Sequence, residues 1–475
     1  VVGDTDSYKL SHAPQYIKNA DMMISYFEAR GGMRDVILNY GIRLIIKEYF
    51  LQRLTHTQVD NMIKWATEHM MGNMVPDLEI ALRAVVDELD GKLPIRIRNA
   101  KEGLLIPINN VIATIETTIP DKRFFILVSY FETKLVRAWS PMTVATTSYY
   151  ARQDIMAALE ESCDDPQAVI DFMFHDFGSR GVGGMEVAAF AGSAHAVSFM
   201  GSDTTVAAHL IEFAYKFRMA TYSIPASEHS TTTSHGRDGE IDLITQMFDA
   251  YAKPGALFAT VIDSYDFIKF IRNLAPLFKE RLIKSGAKWI FRPDSGDPIL
   301  TPVQVLIELE KVFGSTTNSK GYKVLKHVGA IQGDGIEPRQ IPLIYRAVMD
   351  AGFSAENLAI GMGGGLLQKN NRDVHKFALK CCAIRVDGVW QDVYKDPSVY
   401  DEDWNRLDVE SFKSSKAGRL ELAWNPTTNE YKTVRVEEMS SMPGWEYALE
   451  TVYEDGYEYN ETTFPEIRRR AGTIL

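Results

Sequence analysis

Charged side chains directly follow short apolar runs in the second half of this sequence. Arg292 and Asp294 follow the run KWIF, and Asp334 stands between two glycines in IQGDG. Alternate residues of a strand face the same way, so Arg292 and Asp294 can point at one ligand. An arginine binds anionic or carbonyl oxygens, whereas an aspartate accepts hydrogen bonds from sugar hydroxyls or holds Mg²⁺ through water. These residue types together indicate a site for a phosphorylated sugar.

A run of three glycines lies between an apolar run and a helix-like segment, in GMGGGLLQK from Gly361 to Lys369. Such glycines let consecutive backbone N–H groups turn toward one concave point, and the following helix adds its positive end. The run therefore predicts phosphate binding, with a plain flexible turn as the alternative.

Several nucleotide and metal motifs are missing. In RGVGGME, Glu186 stands where a dinucleotide fingerprint has its third glycine, and the chain has no P-loop. Neither HExxH nor a CxxC pair is present, which argues against a protein-ligated zinc site. Among the scattered histidines, His195 has the surroundings of a core histidine. His229, which hydroxyl residues flank in SEHSTTTSHG, is the catalytic candidate, with a structural histidine as the alternative.

The elements that must position these residues alternate from about residue 170 onward. Short apolar runs are separated by helical patterns, for example at 204–218, 241–252, 302–313 and 337–351, which favours a closed α/β barrel over a Rossmann sheet. Barrel active sites lie on the rim formed by the C-terminal ends of the strands. Aspartate and glycine also punctuate turns and cap helices, but seven such run ends with both signs of charge favour a site. The runs end at Asp176, Asp203, His229, Asp263, Arg292 with Asp294, Asp334, and Gly363 to Gly365.

The two ends of the chain have a different rhythm. Helical patterns at about 43–54, 57–71, 79–90 and 142–160 surround three strand-like segments, PIRIRNA, GLLIPI and NVIATIET. The final ~100 residues return to strands and turns. The polar, acidic stretch at 398–412 predicts a surface loop, and FPEIRRRAG predicts a short helix whose basic residues face solvent.

Composition excludes several classes of protein. The 475 residues contain 51 Lys and Arg against 63 Asp and Glu, a net charge of −12, which disfavours broad nucleic-acid binding. No apolar stretch approaches the 18 residues of a membrane span. The three cysteines, Cys163, Cys381 and Cys382, form no disulfide framework, so a reducing, cytoplasmic compartment is expected.

Eleven short strings, in order and with matching spacing over almost the whole chain, resemble the nicotinamide phosphoribosyltransferase family. Each string is short, but eleven in order are very specific. The strings are TDSYK, SYFEAR, HDFGSRG, GSDT, PASEHST, DSYD, RPDSG, NSKGYK, IQGDG, GGGLLQK and KDP.

The resemblance implies a type II phosphoribosyltransferase fold and a reaction. We expect an irregular α/β barrel-like domain at 166–375 and a mixed α+β domain built from both chain ends, 1–165 and 376–475. The family joins nicotinamide to 5-phosphoribosyl pyrophosphate, giving nicotinamide mononucleotide and pyrophosphate. Mg²⁺ is the implied cofactor, ATP the implied co-substrate, and a homodimer with shared active sites the implied assembly.

Four residues are assigned to nicotinamide by the resemblance. Phe177 is similar to the ring that stacks on one face of the base, and Tyr8 of the partner subunit resembles the ring on the other face. Each such face contributes on the order of 0.5–1.5 kcal/mol beyond area burial. Asp203 resembles the residue that accepts the amide N–H, and Arg292 the arginine near the amide oxygen and the phosphate-bearing substrate.

A second group of residues is assigned to the phosphates. Arg180 matches an arginine on the pyrophosphate side. Gly363 and Gly364, with Arg372 of the partner subunit, resemble the cradle of the 5′-phosphate. The remaining implied substrate-binding residues are Asp6, Arg30, Lys395 and Lys413.

The resemblance also assigns the catalytic group. His229 resembles the histidine that ATP phosphorylates in this family, with Asp263 its orienting partner. Asp294 and Asp334 resemble the carboxylates that hold the ribose and, through water, Mg²⁺. The sequence departs from the family at Ala259, where a serine often lines the nicotinamide tunnel, and this leaves the response to inhibitors open.

Two alternatives remain. Nicotinate phosphoribosyltransferase carries out the same reaction on a carboxylate substrate. Asp203 favours the amide, because at 4 Å and an effective dielectric near 20 two carboxylates repel by about 4 kcal/mol. A non-catalytic binding protein on the same fold is disfavoured by the presence of Arg292, Asp294, Asp334 and His229.

Overall fold

The computed structural model describes residues 2–74, 76–407 and 414–474. Two compact units divide the chain: a first unit of Val1–Thr146 with Asn371–Ala471, and a second unit of Thr147–Asn370 with Gly472–Leu475. The expected fold class is confirmed, since one unit is barrel-like and the other is a mixed unit made from both chain ends. The sequence-based domain bounds, 1–165 with 376–475 and 166–375, stay a prediction.

An antiparallel sheet of seven strands organises the first unit. The strand Ala20–Ala29 lies between Phe377–Val386 and Val111–Thr117, so residues from the two chain ends hydrogen-bond directly. The sheet order is Val389–Asp392, Phe377–Val386, Ala20–Ala29, Val111–Thr117, Ile95–Ala100, Leu449–Glu454, Tyr457–Glu458. Smaller sheets pair Val36–Leu38 with Leu105–Pro107, Val399–Tyr400 with Arg406–Leu407, and Leu420–Asn425 with both Glu430–Arg435 and Glu446–Tyr447.

The first unit also contains helices, and two of them show how local sequence sets a helix start and a buried side chain. A capping box between Thr55 and Gln58 begins the helix His56–His69. In the last helix the Arg468 side chain is buried, with its guanidinium 4.9 Å from the Phe464 ring centre, so a fully solvated basic face is wrong for FPEIRRRAG. The helices are Ser7–Ser11, Ala13–Gln15, Ile42–Ile45, Ile46–Phe50, His56–His69, Pro76–Leu89, Ile126–Tyr130, Glu132–Val136, Arg372–Val374, Val436–Ser441 and Phe464–Ala471; Trp139–Ser162 contains the boundary between the units.

Six parallel strands form the curled sheet of the second unit. Their order is Gly201–Ser202, Phe174–Asp176, Leu358–Met362, Val328–Gln332, Lys288–Arg292, Leu257–Val261. Tyr222 bridges to Gly201 at one edge of this sheet, and Ala226 bridges to Ala259 at the other. The segment between Tyr222 and Ala226 therefore links the two edges and closes an irregular barrel.

Helices connect these strands, as the alternating pattern predicts. The predicted helices at 204–218, 241–252, 302–313 and 337–351 are confirmed. The α-helices are Pro166–Val169, Met185–His195, Thr205–Tyr215, His229–Thr233, Glu240–Tyr251, Phe267–Lys269, Ala275–Ser285, Leu300–Phe313 and Ile341–Asp350; shorter or wider turns are Ile170–Phe172, Ser179–Gly181, Arg237–Gly239, Phe270–Leu274, Pro338–Gln340, Ala355–Asn357 and Gly364–Gln368; a hairpin pairs Ser315–Thr317 with Lys323–Leu325.

Strand alternation in Lys288–Arg292 decides which side chains enter the barrel. Trp289 and Phe291 are fully buried, and Trp289 packs edge-on against Phe248 with ring centres 5.1 Å apart. Lys288 and Arg292, on the opposite face, line the barrel interior. The apolar outer face thus fixes the direction of the arginine.

Across the described residues, no helix combines the length and apolar character needed to cross a bilayer.

Candidate active site

A cavity of about 450 Å³ occupies the interior of the second unit. Its walls are mainly apolar and include Ile290, Ala330 and Ala359, while Asp203 and Arg292 lie at its rim end. Small-molecule sites have this size and this mixture of apolar walls with a few placed polar groups. The cavity therefore fits a flat heteroaromatic ring whose polar substituent faces the C-terminal ends of the strands.

Phe177 lies at the rim end of this cavity, directly after the strand Phe174–Asp176. The Arg292 guanidinium lies 5.2 Å from the centre of the Phe177 ring. Gly361 makes room for the ring, because a Cβ built there would lie 2.0 Å from Phe177 Cε2. The aromatic ring and the cation thus form one wall of the cavity, and a glycine in the neighbouring strand permits it.

A carboxylate stands at the same end of the cavity. Asp203 Oδ1 accepts a hydrogen bond from the Ser223 hydroxyl at 2.5 Å, and the Asp203 backbone N–H donates to the Asp176 carbonyl at 2.9 Å. Burial lowers the pKa of neighbouring His175, which keeps that imidazole neutral near pH 7. The Asp203 carboxylate is therefore the hydrogen-bond acceptor at this end of the cavity, and it can accept from an amide N–H.

Arg292 and Asp294 form a two-pronged ion pair. Nε and Nη2 of Arg292 donate to the two carboxylate oxygens of Asp294, each at 2.8 Å. Gly333 allows this approach, since a Cβ there would lie 2.3 Å from Asp294 Oδ1. The planar guanidinium is thereby held in one orientation, and its three other N–H donors remain for ligand oxygens.

His229 begins a short helix and faces two carboxylates. Its Nε2 lies 3.8 Å from Asp263 Oδ1 and 3.5 Å from Asp294 Oδ2, and its Nδ1 lies 2.9 Å from the Ser264 hydroxyl. Asp263 Oδ2 accepts hydrogen bonds from the backbone N–H groups of Asp294 and Ser295, at 2.9 and 2.6 Å. The structure therefore brings together His229, Asp263 and Asp294, three of the four catalytic candidates, and adds Ser264, which the sequence analysis did not select.

The remaining candidates of the second unit lie on neighbouring loops of the same rim. Arg180 is exposed in the turn after Phe177, and Asp334 is exposed after the strand Val328–Gln332. Gly363 and Gly364 follow the strand Leu358–Met362, and the Phe177 N–H donates to the Met362 carbonyl at 3.0 Å. The carboxyl ends of the parallel strands thus collect these residues at one edge.

The oxygen atoms at this rim suit Mg²⁺ that is held through water. The described residues contain no group of three or more metal-ligating side chains. Two buried oxygens, Asp263 Oδ1 and Gln332 Oε1, have no hydrogen-bond partner within the described residues. Mg²⁺ keeps several waters and uses one or two carboxylates with substrate phosphates, so this donor set fits a water-mediated ion.

The implied residues of the first unit are arranged in two groups. Asp6 accepts a hydrogen bond from the Thr133 hydroxyl at 2.8 Å, and Tyr8 is 61% exposed. Arg30, Arg372 and Lys395 form the second group.

The second group is cationic. The pKa of Lys380 is lowered first by burial, and the positive charges of Arg30, Arg372 and Lys395 lower it further. Arg30 Nε donates to Glu28 at 2.7 Å, which leaves an Nη2 group without a partner among the described residues. Clustered cations suit phosphate oxygens. Lys413 lies outside the described residues.

Comparison with known proteins gives family matches to two segments of the chain. Residues 172–413 match the nicotinate phosphoribosyltransferase family, and residues 1–97 match the N-terminal domain of nicotinamide phosphoribosyltransferase. A nicotinamide phosphoribosyltransferase of Xanthomonas campestris is 44% identical over 470 residues, which cover 98% of this chain and 97% of that protein.

Two solved structures share the fold. Human nicotinic acid phosphoribosyltransferase has a TM-score of 0.60 and 17% identity, covering 98% of this chain and 93% of that one. Nicotinate-nucleotide pyrophosphorylase of Pyrococcus furiosus has a TM-score of 0.60 and 14% identity, covering 99% and 94%. These two structures show the fold, and the matches along the sequence show that the chain belongs to the nicotinamide phosphoribosyltransferase family.

Proposed function

We propose that this protein transfers the phosphoribosyl group of 5-phosphoribosyl pyrophosphate to nicotinamide. The products are nicotinamide mononucleotide and pyrophosphate, and the reaction is a step of NAD salvage. The observation that carries the proposal is the pairing of Phe177, Asp203 and Arg292 at the rim end of an apolar cavity. The Phe177 ring matches the flat pyridine ring of nicotinamide, the Asp203 carboxylate its amide N–H, and the Arg292 cation its amide oxygen.

The reaction needs no nucleophile from the protein; it needs residues that position the substrates and supply charge. The pyridine nitrogen attacks the anomeric carbon of the ribose as the bond to pyrophosphate breaks, through an oxocarbenium-like state. The protein can lower the activation barrier most by holding the two substrates in line and by neutralising the departing anion. Phe177 and Asp203 orient the base, while Arg292 and Arg180 supply positive charge. When bound, Mg²⁺ neutralises pyrophosphate oxygens; Asp294 and Asp334 would hold it through water.

The proposal extends to ATP, assembly and compartment. ATP is a co-substrate that phosphorylates His229. A homodimer completes each site with Tyr8 and Arg372 of the partner subunit. The compartment is the cytoplasm, which agrees with the three free cysteines. Among them, burial raises the pKa of the Cys163 thiol to about 11.

Turnover of the two bases tests the function directly. We expect purified protein with Mg²⁺ to convert nicotinamide at least about tenfold more efficiently than nicotinate, because Asp203 repels a second carboxylate. The measurement is kcat/KM for each base, with and without ATP. Equal use of both bases would favour the nicotinate enzyme, and no product with either base would favour a binding protein.

Asp203→Asn is expected to relax base selection. The substitution keeps an oxygen acceptor but removes the charge that repels nicotinate, so the nicotinamide-to-nicotinate ratio of kcat/KM should fall roughly tenfold. Asp249→Asn is the matched control, because Asp249 pairs with Arg281 on outer helices of the same unit. An unchanged ratio in the Asp203 variant would show that the base is selected elsewhere.

A further inference from the structure

Asp176 lies next to the cavity without lining it. The residue ends the strand Phe174–Asp176, its side chain is fully buried, and its neighbours in the sheet are Met362 on one side and Ser202 on the other. The next residue along the chain is Phe177, and the turn after Ser202 carries Asp203. Asp176 therefore stands between the two side chains proposed to hold nicotinamide.

Each carboxylate oxygen of Asp176 holds one of the two turns, the one after Asp176 or the one after Ser202. Oδ1 accepts a hydrogen bond from the Gly178 backbone N–H at 2.7 Å, which fixes the turn that carries Phe177. Oδ2 accepts from the Ser202 hydroxyl at 3.4 Å, and the same hydroxyl oxygen accepts from the Thr204 N–H at 3.1 Å. One side chain thus ties together the ends of two adjacent strands.

The backbone of Asp176 strengthens the same connection. Its carbonyl accepts the Asp203 N–H at 2.9 Å, so Asp203 is fixed through main-chain and side-chain bonds that share one residue. Gly192 leaves space for the carboxylate, because a Cβ there would lie 3.1 Å from Oδ2. The geometry leaves little freedom for either turn to move independently.

A buried carboxylate at this position costs the fold stability. Burial, with a smaller contribution from the charge of Asp203, raises the pKa of Asp176 from the ordinary 3.8 to about 6. Because the folded chain binds the extra proton, stability falls as the pH rises through that window. Ionisable groups held at such a cost are concentrated at functional sites.

We infer that Asp176 is the positioning residue of the nicotinamide end of the cavity, setting the separation and orientation of Phe177 and Asp203. The inference rests on the proposed function, because it takes nicotinamide as the ligand between those two side chains. Asp176 touches no substrate atom and acts only through the two turns. Its effect should therefore fall mainly on nicotinamide and less on 5-phosphoribosyl pyrophosphate, because Arg180 is the only proposed contact of that substrate beside these turns.

Kinetics of Asp176→Ala and Asp176→Asn test this inference. Alanine leaves the Gly178 N–H and the Ser202 hydroxyl without their buried partner, so we expect KM for nicotinamide to rise roughly tenfold or more. KM for 5-phosphoribosyl pyrophosphate should rise less, by no more than about threefold, since only Arg180 among its proposed contacts follows the Gly178 turn and the others lie on other loops. Asparagine keeps Oδ1 as an acceptor and should restore KM for nicotinamide to within about threefold of the parent.

Two further variants keep the result decisive. Ser202→Ala keeps the Gly178 bond and removes the Oδ2 connection together with the acceptor of the Thr204 N–H. It should give a smaller rise in the same KM, and it replaces Asp176→Ala as the test if that variant does not fold. Glu308→Gln is the control, because Glu308 is a fully buried carboxylate of the same unit that pairs with Arg272 away from the cavity.

The outcomes separate this inference from the proposed function. Equal rises in KM for both substrates, or a Ser202→Ala variant with parental KM for nicotinamide beside an inactive Asp176→Ala, would overturn the positioning role alone. Failure of asparagine to restore KM would do the same. A parental protein that makes no mononucleotide would overturn both.

Discussion

Replacing Arg292 by alanine is expected to lower kcat/KM for nicotinamide about 100- to 1,000-fold, the usual cost of removing a preorganised charged donor from a transition state. The guanidinium faces the Phe177 ring from 5.2 Å, lines the cavity, and holds both oxygens of Asp294. Its loss removes positive charge beside the reacting groups and takes from the Asp294 carboxylate its two-pronged arginine partner, leaving only His229 beside it among the described residues. Both kcat and KM should therefore change, and steady-state kinetics with each substrate varied in turn measures them.

Two variants serve as controls for this result. Arg292→Lys keeps the charge but cannot make the paired contacts with Asp294, so most of the loss should remain. Arg272→Ala removes an arginine that makes the same two-pronged contact with Glu308, at 2.7 and 2.8 Å, on outer helices of the same unit. An Arg292→Ala enzyme within about fivefold of the Arg272→Ala enzyme would contradict the assignment of Arg292 to the transition state.

The rim of the barrel was predictable from the sequence because parallel strands bring their carboxyl ends to one edge. Asp203, Arg292 and Asp334 follow apolar runs, and each run became a strand of the curled sheet. The direction of Arg292 was also predictable, because alternation in KWIFR sends Trp289 and Phe291 to the outside of the barrel.

The central strand of the first unit was not predictable in the same way. Ala20–Ala29 has seven consecutive buried residues at its end and no alternation, so its pattern does not separate a strand from a buried helix. The run TYSIPASEH gives isolated bridges at Tyr222 and Ala226 in place of a strand. Pro225 explains part of this difference, because proline has no N–H for a sheet hydrogen bond.

Contacts between distant residues explain what else the sequence could not provide. Gly361 and Phe177 are far apart in the chain, and only the pairing of their strands shows why that position must lack a side chain. Ser264 belongs to the DSYD string, yet nothing in the string indicates that its hydroxyl contacts Nδ1 of His229. Spacing predicts which residues share a rim, whereas the partner of each atom depends on the packed loops.

The chemistry proposed for ATP depends on which nitrogen of His229 carries the proton. Nε2 faces the carboxylates of Asp263 and Asp294, at 3.8 and 3.5 Å, and this negative charge favours the tautomer protonated at Nε2. The lone pair then lies on Nδ1, 2.9 Å from the Ser264 hydroxyl. In the proposed transfer, Nδ1 bonds to the γ-phosphorus as the bond from that phosphorus to ADP breaks, and the Nε2 proton stays beside the carboxylates.

His229→Ala is expected to abolish ATP hydrolysis and the ATP-dependent increase in synthesis while leaving slow basal formation of the mononucleotide. Removing a nucleophile should lower ATP turnover by more than about 100-fold. Basal synthesis should persist, because Phe177, Asp203 and Arg292 still orient the base and the anion. Ser264→Ala should weaken ATP turnover less, since it removes only a contact to the ring. ATP turnover measured beside product formation, in the same samples, separates the two activities.

His235→Ala is the matched control, because His235 belongs to the same hydroxyl-rich segment and follows the short helix that His229 begins. This variant should keep both ATP turnover and its coupling to synthesis. A His229→Ala enzyme that still hydrolyses ATP at the parental rate in step with synthesis would rule out the phosphohistidine. Loss of basal synthesis together with ATP turnover would instead assign His229 to the transfer itself, since Nε2 is close enough to Asp294 to act on the ribose side of the site.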